Sequence, residues 1–182
     1  MPGYRRWHGE MVFLTLVTAG RRKLFLSEQP RRLLRQAMER TRHQRPWTTV
    51  GLVLLPDHIH MLWRMPTDDL DYSVRISALK NCFTRAFLWS GGQEAPVPAG
   101  QCRHGLRGVW QRRFWEHTIR DARDFRMHLD YIHLNPVKHG LAERVRDWPW
   151  STFHQYVLRG WYEPDWQGCV ELAGSTEYLW MD

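Results

Sequence analysis

Apolar residues fall in short β-branched runs and in longer stretches with helical spacing, and the two alternate along the chain. Residues 11–18 (MVFLTLVT), 48–55 (TTVGLVLL) and 58–65 predict strands. Pro56-Asp57 separates the last two by a tight turn, so they form a hairpin. Between the first two, Leu33, Leu34, Ala37 and Met38 recur at helical spacing. Ser27 is the N-cap there, Pro30 lies in the first turn, and the helix runs to about His43 before Pro46. Asp68 and Asp69 open a second helix over about 70–89, with Val74, Leu79, Phe83 and Phe87 facing inward. The Gly- and Pro-rich stretch 90–109 predicts a long loop, and 109–119 a fourth strand. Asp121 caps a third helix that ends near Asn135, because Pro136 disfavours helical backbone at the residue before it.

The order β-α-β-β-α-β is that of a ferredoxin-like α+β fold. It implies a four-stranded antiparallel sheet with two helices on one face. The third helix then lies near the other face or an edge. Residues 1–157 are expected to form one domain, with 158–182 an acidic, Trp-containing extension packed on it.

Length and composition narrow the class. A chain of 182 residues with 43% hydrophobic and 13% aromatic residues can build a core, which excludes disorder. The net charge is +7, and it is uneven: residues 1–56 hold eleven basic residues against three acidic, whereas 161–182 hold five acidic and no basic ones. The basic front suits a polyanionic partner. Arg5, Arg6, Arg21, Arg22 and Lys23 flank the first strand as a candidate phosphate track, with Lys80 on the second helix a further candidate contact. Cys82, Cys102 and Cys169 are far apart and odd in number, which argues against a disulfide scaffold or a cysteine zinc site. The apolar run from residue 11 is too short for a membrane span, so a soluble cytoplasmic protein is expected.

The candidate chemistry starts at His58-Ile59-His60. Side chains alternate along a strand, so both imidazoles face one side and can chelate one divalent metal. On the third helix Phe125, Leu129 and Ile132 form an apolar stripe, and His128, Tyr131 and Asn135 a polar stripe beside it. Tyr131 and Asn135 therefore project together, one turn apart. A phosphodiester repels nucleophiles by its charge, and a metal on a non-bridging oxygen offsets that charge. A phenol, with a pKa of about 10, then needs a base or a cationic neighbourhood to attack. His128 is read as orienting a phosphate, transferring a proton, or lying at the surface. Glu116 and His117 carry no assigned role.

These residues stand in segments that resemble the REP-associated tyrosine transposases, bacterial relatives of the single-tyrosine HUH transposases. The segments are PDHIHML at 56–62, WQRRFWEHTIRD at 110–121, DARDFRMHLDYIHLNPVKHGL at 121–141 and DWPWSTFHQY at 147–156. The resemblance spans about residues 5–157. It implies a ferredoxin-like fold, His58 and His60 as metal ligands, Tyr131 as nucleophile and Asn135 as the polar group completing the metal site, where related enzymes often have Gln. It also implies Mg²⁺ or Mn²⁺ as cofactor and single-stranded hairpins of short palindromic repeats as DNA partner. A monomer is expected. The enzyme reading competes with a non-catalytic nucleic-acid hairpin-binding protein, and with a hydrolase that activates water.

Overall fold

A computed structural model describes residues 10–96 and 107–168. Arg5 and Arg6, half of the predicted 90–109 loop and residues 169–182 of the acidic extension lie outside them.

The sheet consists of β1 (Met11–Val17), β2 (Thr48–Leu54), β3 (His58–Arg64) and β4 (Trp115–Thr118). Its order is β2-β3-β1-β4 with every pair antiparallel, as the ferredoxin-like reading requires. Strand alternation divides the core in two. Val12, Leu14, Leu16, Ile59, Met61 and Trp63 are buried beneath α1 (Glu28–Gln44) and α2 (Tyr72–Trp89). Met11, Phe13, Val53 and Leu62 are buried on the other face, beneath Phe125, Leu129 and Ile132 of α3 (Ala122–Lys138). His58 and His60 share their parity with Leu62, so the α3 face is the one that carries them.

The third helix packs closest at Gly51. A Cβ built there would lie 3.0 Å from Leu129 Cδ1 and 3.1 Å from Ile132 Cδ1, so a larger residue would crowd the α3 side chains at this approach. Beyond α3, residues 149–152 line the free edge of β2: Leu54 N–H donates to the Trp150 carbonyl and Thr152 N–H to that of Leu52, both at 2.9 Å. The short helix α4 (Phe153–Leu158) follows, and Tyr162 and Trp166 pack against Phe153.

Four expectations are corrected. The fourth strand covers only Trp115–Thr118; before it, Trp110 makes a single bridge to Thr18, and its ring packs between Phe25 and Phe83. The second helix starts at Tyr72, because Asp71 rather than Asp68 or Asp69 accepts the capping bond from Val74 N–H. Val74 lies on the exposed side, and Ile76 takes the inward position assigned to it. The tyrosine helix runs through Pro136 to Lys138. In the last turn a proline removes only one intrahelical bond. The helix instead stops at Gly140, which takes φ +64° while its N–H donates to Val137 and that of Leu141 donates to Pro136, closing both terminal carbonyls.

Candidate functional site

Three elements meet at the site: β3 supplies the histidine pair, β1 the residue opposite it, and α3 the tyrosine. The His58 and His60 rings lie 4.8 Å apart at 82°, and Tyr131 packs edge-on to His60 at 5.2 Å. All three are buried.

Each histidine has its Nδ1 held and its Nε2 left over. His58 Nδ1 donates to the Asp57 carboxylate at 2.6 Å. His60 Nδ1 lies 2.8 Å from Thr15 Oγ1, its directly opposite partner in the β1–β3 register. Among the described residues neither Nε2 has a hydrogen-bond partner, and the same is true of both amide atoms of the fully buried Asn135. Buried polar atoms without partners are rare and call for an explanation, of which a bound ion is one. With the proton on Nδ1, each Nε2 presents a lone pair, the form in which imidazole binds a metal. Two imidazole nitrogens and an amide oxygen are suitable donors for a divalent cation, so the residues fit one.

The electrostatics agree. Burial pushes His58 below its ordinary pKa despite Asp57, and holds His60 well below it, with His58, His139 and Lys138 adding to the effect. Both rings are therefore neutral and compete weakly for protons. The end of α3 adds a lysine and a histidine, which stopping the helix at Asn135 leaves out of the site. Lys138 Nζ lies 5.1 Å from the Tyr131 ring centre, and the His139 ring 5.3 Å from that of His58. A cation beside a phenol favours its ionised form.

The DNA-contact candidates separate by environment. Arg21 has the left-handed φ of +50° and reaches Asp57 at 3.4 Å, which puts it beside the histidine pair. Lys23 is exposed. The Arg22 guanidinium donates to the carbonyls of Gln93 and Gly108 at 2.7 Å, bridging these two residues. Lys80 donates to the Gln111 carbonyl at 2.9 Å, and burial pushes its pKa down to about 8. Trp148 is buried with its indole N–H on the Leu54 carbonyl, whereas Trp150 is partly exposed under the Arg31 guanidinium. A cavity of about 730 Å³ between α1 and β2 includes Arg31, Arg35 and Trp150 in its wall. It lies on the opposite sheet face from Tyr131, although Ile59, between the two histidines, also lines it.

A second cluster stands beside the first. His117 Nε2 lies 2.8 Å from the Asp124 carboxylate, and His128 Nδ1 lies 3.0 Å from that carboxylate and 2.8 Å from the Asp124 carbonyl. His128, read among other things as a surface residue, is buried. Burial by itself would raise the Asp124 carboxyl; bonds from His117 and Arg120 N–H hold it below the usual range.

No protein-family model matches the chain. Individual relatives do. A REP-associated tyrosine transposase of Escherichia coli K12 is 41% identical over 181 residues, covering 98% of this chain and 99% of that one. A Haemophilus influenzae protein provisionally given the same name is 42% identical over 174 residues, covering 94% and 97%. A solved REP-associated tyrosine transposase bound to a REP hairpin superposes with a TM-score of 0.74 at 41% identity, over 93% of each chain.

Proposed function

This chain belongs to the REP-associated tyrosine transposases, and on that premise we propose that it cuts and rejoins single-stranded DNA at hairpins of palindromic repeats, with Tyr131 as the nucleophile. The observation that carries the reading is the packing of the Tyr131 ring against His60, whose buried Nε2 has no hydrogen-bond partner among the described residues.

The chemistry follows from the residues. His58, His60 and Asn135 would hold Mg²⁺ or Mn²⁺, which when bound offsets the negative charge of the phosphodiester. Asp57 and Thr15 fix the two rings so that both Nε2 atoms stay available. The Lys138 ammonium, 5.1 Å from the Tyr131 ring centre, would favour ionisation of the phenol during attack. The Tyr131 oxygen attacks phosphorus, a tyrosine–phosphorus bond forms at the 5′ side of the nick, and the bond to the 3′ oxygen breaks. The departing 3′ oxygen takes a proton from water and leaves as a 3′-hydroxyl. A 3′-hydroxyl attacking the phosphotyrosine reverses these steps, so joining needs no ATP. Arg21 and Lys23 would track the phosphates, whereas Arg22 and Lys80 are engaged by backbone carbonyls. Tyr131 and the histidine pair meet within one chain, which supports action as a monomer.

The test is a denaturing gel with a single-stranded repeat hairpin from the same genome and Mn²⁺. Wild type yields a slow-migrating protein–DNA band. Tyr131→Phe yields none, and a mixture of Tyr131→Phe with His60→Ala yields none either, because one chain must supply both parts. Cutting without an adduct would identify water as the nucleophile. Binding with no cutting would leave the hairpin-binding reading in its place.

A further inference from the structure

The tyrosine helix carries a third histidine with the signature of the first two. His128 is 2% exposed, its Nδ1 is held, and its Nε2 has no hydrogen-bond partner among the described residues. Its ring contacts Phe13 at 4.9 Å, and the same Phe13 ring contacts His60 at 5.5 Å and Tyr131 at 5.9 Å. His128 precedes Tyr131 by three residues, so the two share one side of α3. Helical side chains lean toward the N-terminus, which directs the Tyr131 side chain toward the turn that bears His128.

The donor atoms of His117, Asp124 and His128 lie within 4.8 Å of one another, a spacing that would also suit a metal. Hydrogen bonding accounts for it instead. At 2.8 Å from a carbonyl oxygen, His128 Nδ1 carries a proton and has no lone pair for a cation. The Asp124 carboxylate already receives His117 Nε2–H and Arg120 N–H. The His117 ring stacks on His128 at 4.5 Å and 13°, and its side chain is 24% exposed. A chain of polar groups thus runs from the partly exposed His117 through Asp124 to the buried His128, whose remaining nitrogen is unused. This is the arrangement by which a carboxylate fixes the tautomer of a catalytic base.

Resting on the assignment of Tyr131 as nucleophile, we propose that His128 is the general base that takes the phenolic proton as Tyr131 attacks phosphorus. When the strand is rejoined a 3′-hydroxyl attacks phosphorus and gives its proton to water, the tyrosine–phosphorus bond breaks, and His128 returns its proton to the phenolate oxygen. Asp124 and His117 are positioning residues that keep the proton on His128 Nδ1 and the lone pair on Nε2.

The test measures single-turnover adduct formation on the repeat hairpin for wild type, His128→Ala and His128→Gln, with folding checked by circular dichroism and Mn²⁺ affinity by calorimetry. Gln retains the bulk of the site should the smaller residue fail to fold. The expected result is a rate loss of about 10²- to 10⁴-fold with metal affinity unchanged. Two further readouts separate proton transfer from packing. Added imidazole restores activity to His128→Ala, and replacing Tyr131 by a fluorinated, more acidic tyrosine shrinks the deficit of His128→Gln, because an ionised phenol needs no base. An undiminished deficit in the fluorotyrosine background, or wild-type rates in both variants, would overturn the proposal. Absence of any adduct in wild type would instead count against the Tyr131 reading on which it rests.

Discussion

His58 and His60 are held by different means, a carboxylate one residue away and a hydroxyl on the neighbouring strand. Both leave Nε2 free to bind. If that presentation is what the site needs, Asp57→Asn and Thr15→Val will each weaken Mn²⁺ binding about 10- to 100-fold, as loss of such orienting bonds does at other metal sites. Titration calorimetry reads it directly, and unchanged affinity would mean that packing alone aims the rings. At this scale the sequence was partly legible. The His58/His60 spacing and the Tyr131/Asn135 spacing are local, and the alternation of a strand and the turn of a helix project them without knowledge of the fold. Thr15 is 45 residues from His60 and becomes its partner only through the strand register. His128 could be placed on the right stripe but not in the interior, because one imidazole suits a surface as well as a core.

The tyrosine helix is the element on which the site depends. Its apolar stripe was readable from spacing, and its capping by Asp121 is borne out by the bond from Asp124 N–H. Its end was not: Pro136 marks the point where a helix becomes harder to continue, and the tertiary contacts and Gly140 decide where it stops. That error hid Lys138 and His139, which the continued helix returns to the same side as Tyr131. The depth at which α3 lies is set by Gly51. Gly51→Val would press two methyls against Leu129 and Ile132, destabilising the protein by about 1–3 kcal/mol. It would also slow adduct formation by lifting Tyr131 away from His60. Denaturant midpoints and single-turnover rates check both effects; lost stability at an unchanged rate would separate the position of the tyrosine from this packing.

Across the whole molecule, the sheet divides two faces with different tasks. One packs α1 and α2 as an apolar core; the other is a core into which polar groups are built. The second kind carries a liability. His133 is fully buried beside Thr152, and burial pushes its pKa from 6.5 down to about 3. Because the folded value lies below the unfolded one, the unfolded chain binds more protons between these two values, and stability falls as pH drops through that window. The loss is up to about 1.4 kcal/mol per pH unit. Urea midpoints should decline from about pH 7 to about pH 5 in wild type and decline less in His133→Gln; parallel slopes would assign the acid sensitivity to other groups. The order of elements was legible because each has its own periodicity. The covering of the β2 edge by residues 149–152 was not, since nothing local in that Trp-rich stretch states which strand it meets.

The central claim is that the phenol of Tyr131 becomes bonded to DNA, and mass spectrometry of the trapped adduct tests it most directly. After incubation with Mn²⁺ and a repeat hairpin, nuclease trimming and proteolysis, the peptide containing Tyr131 should carry a nucleotide 5′-phosphate on that tyrosine. A cut strand bearing a free 5′-phosphate with the Tyr131 peptide unmodified, or an adduct on any other residue, would contradict the account.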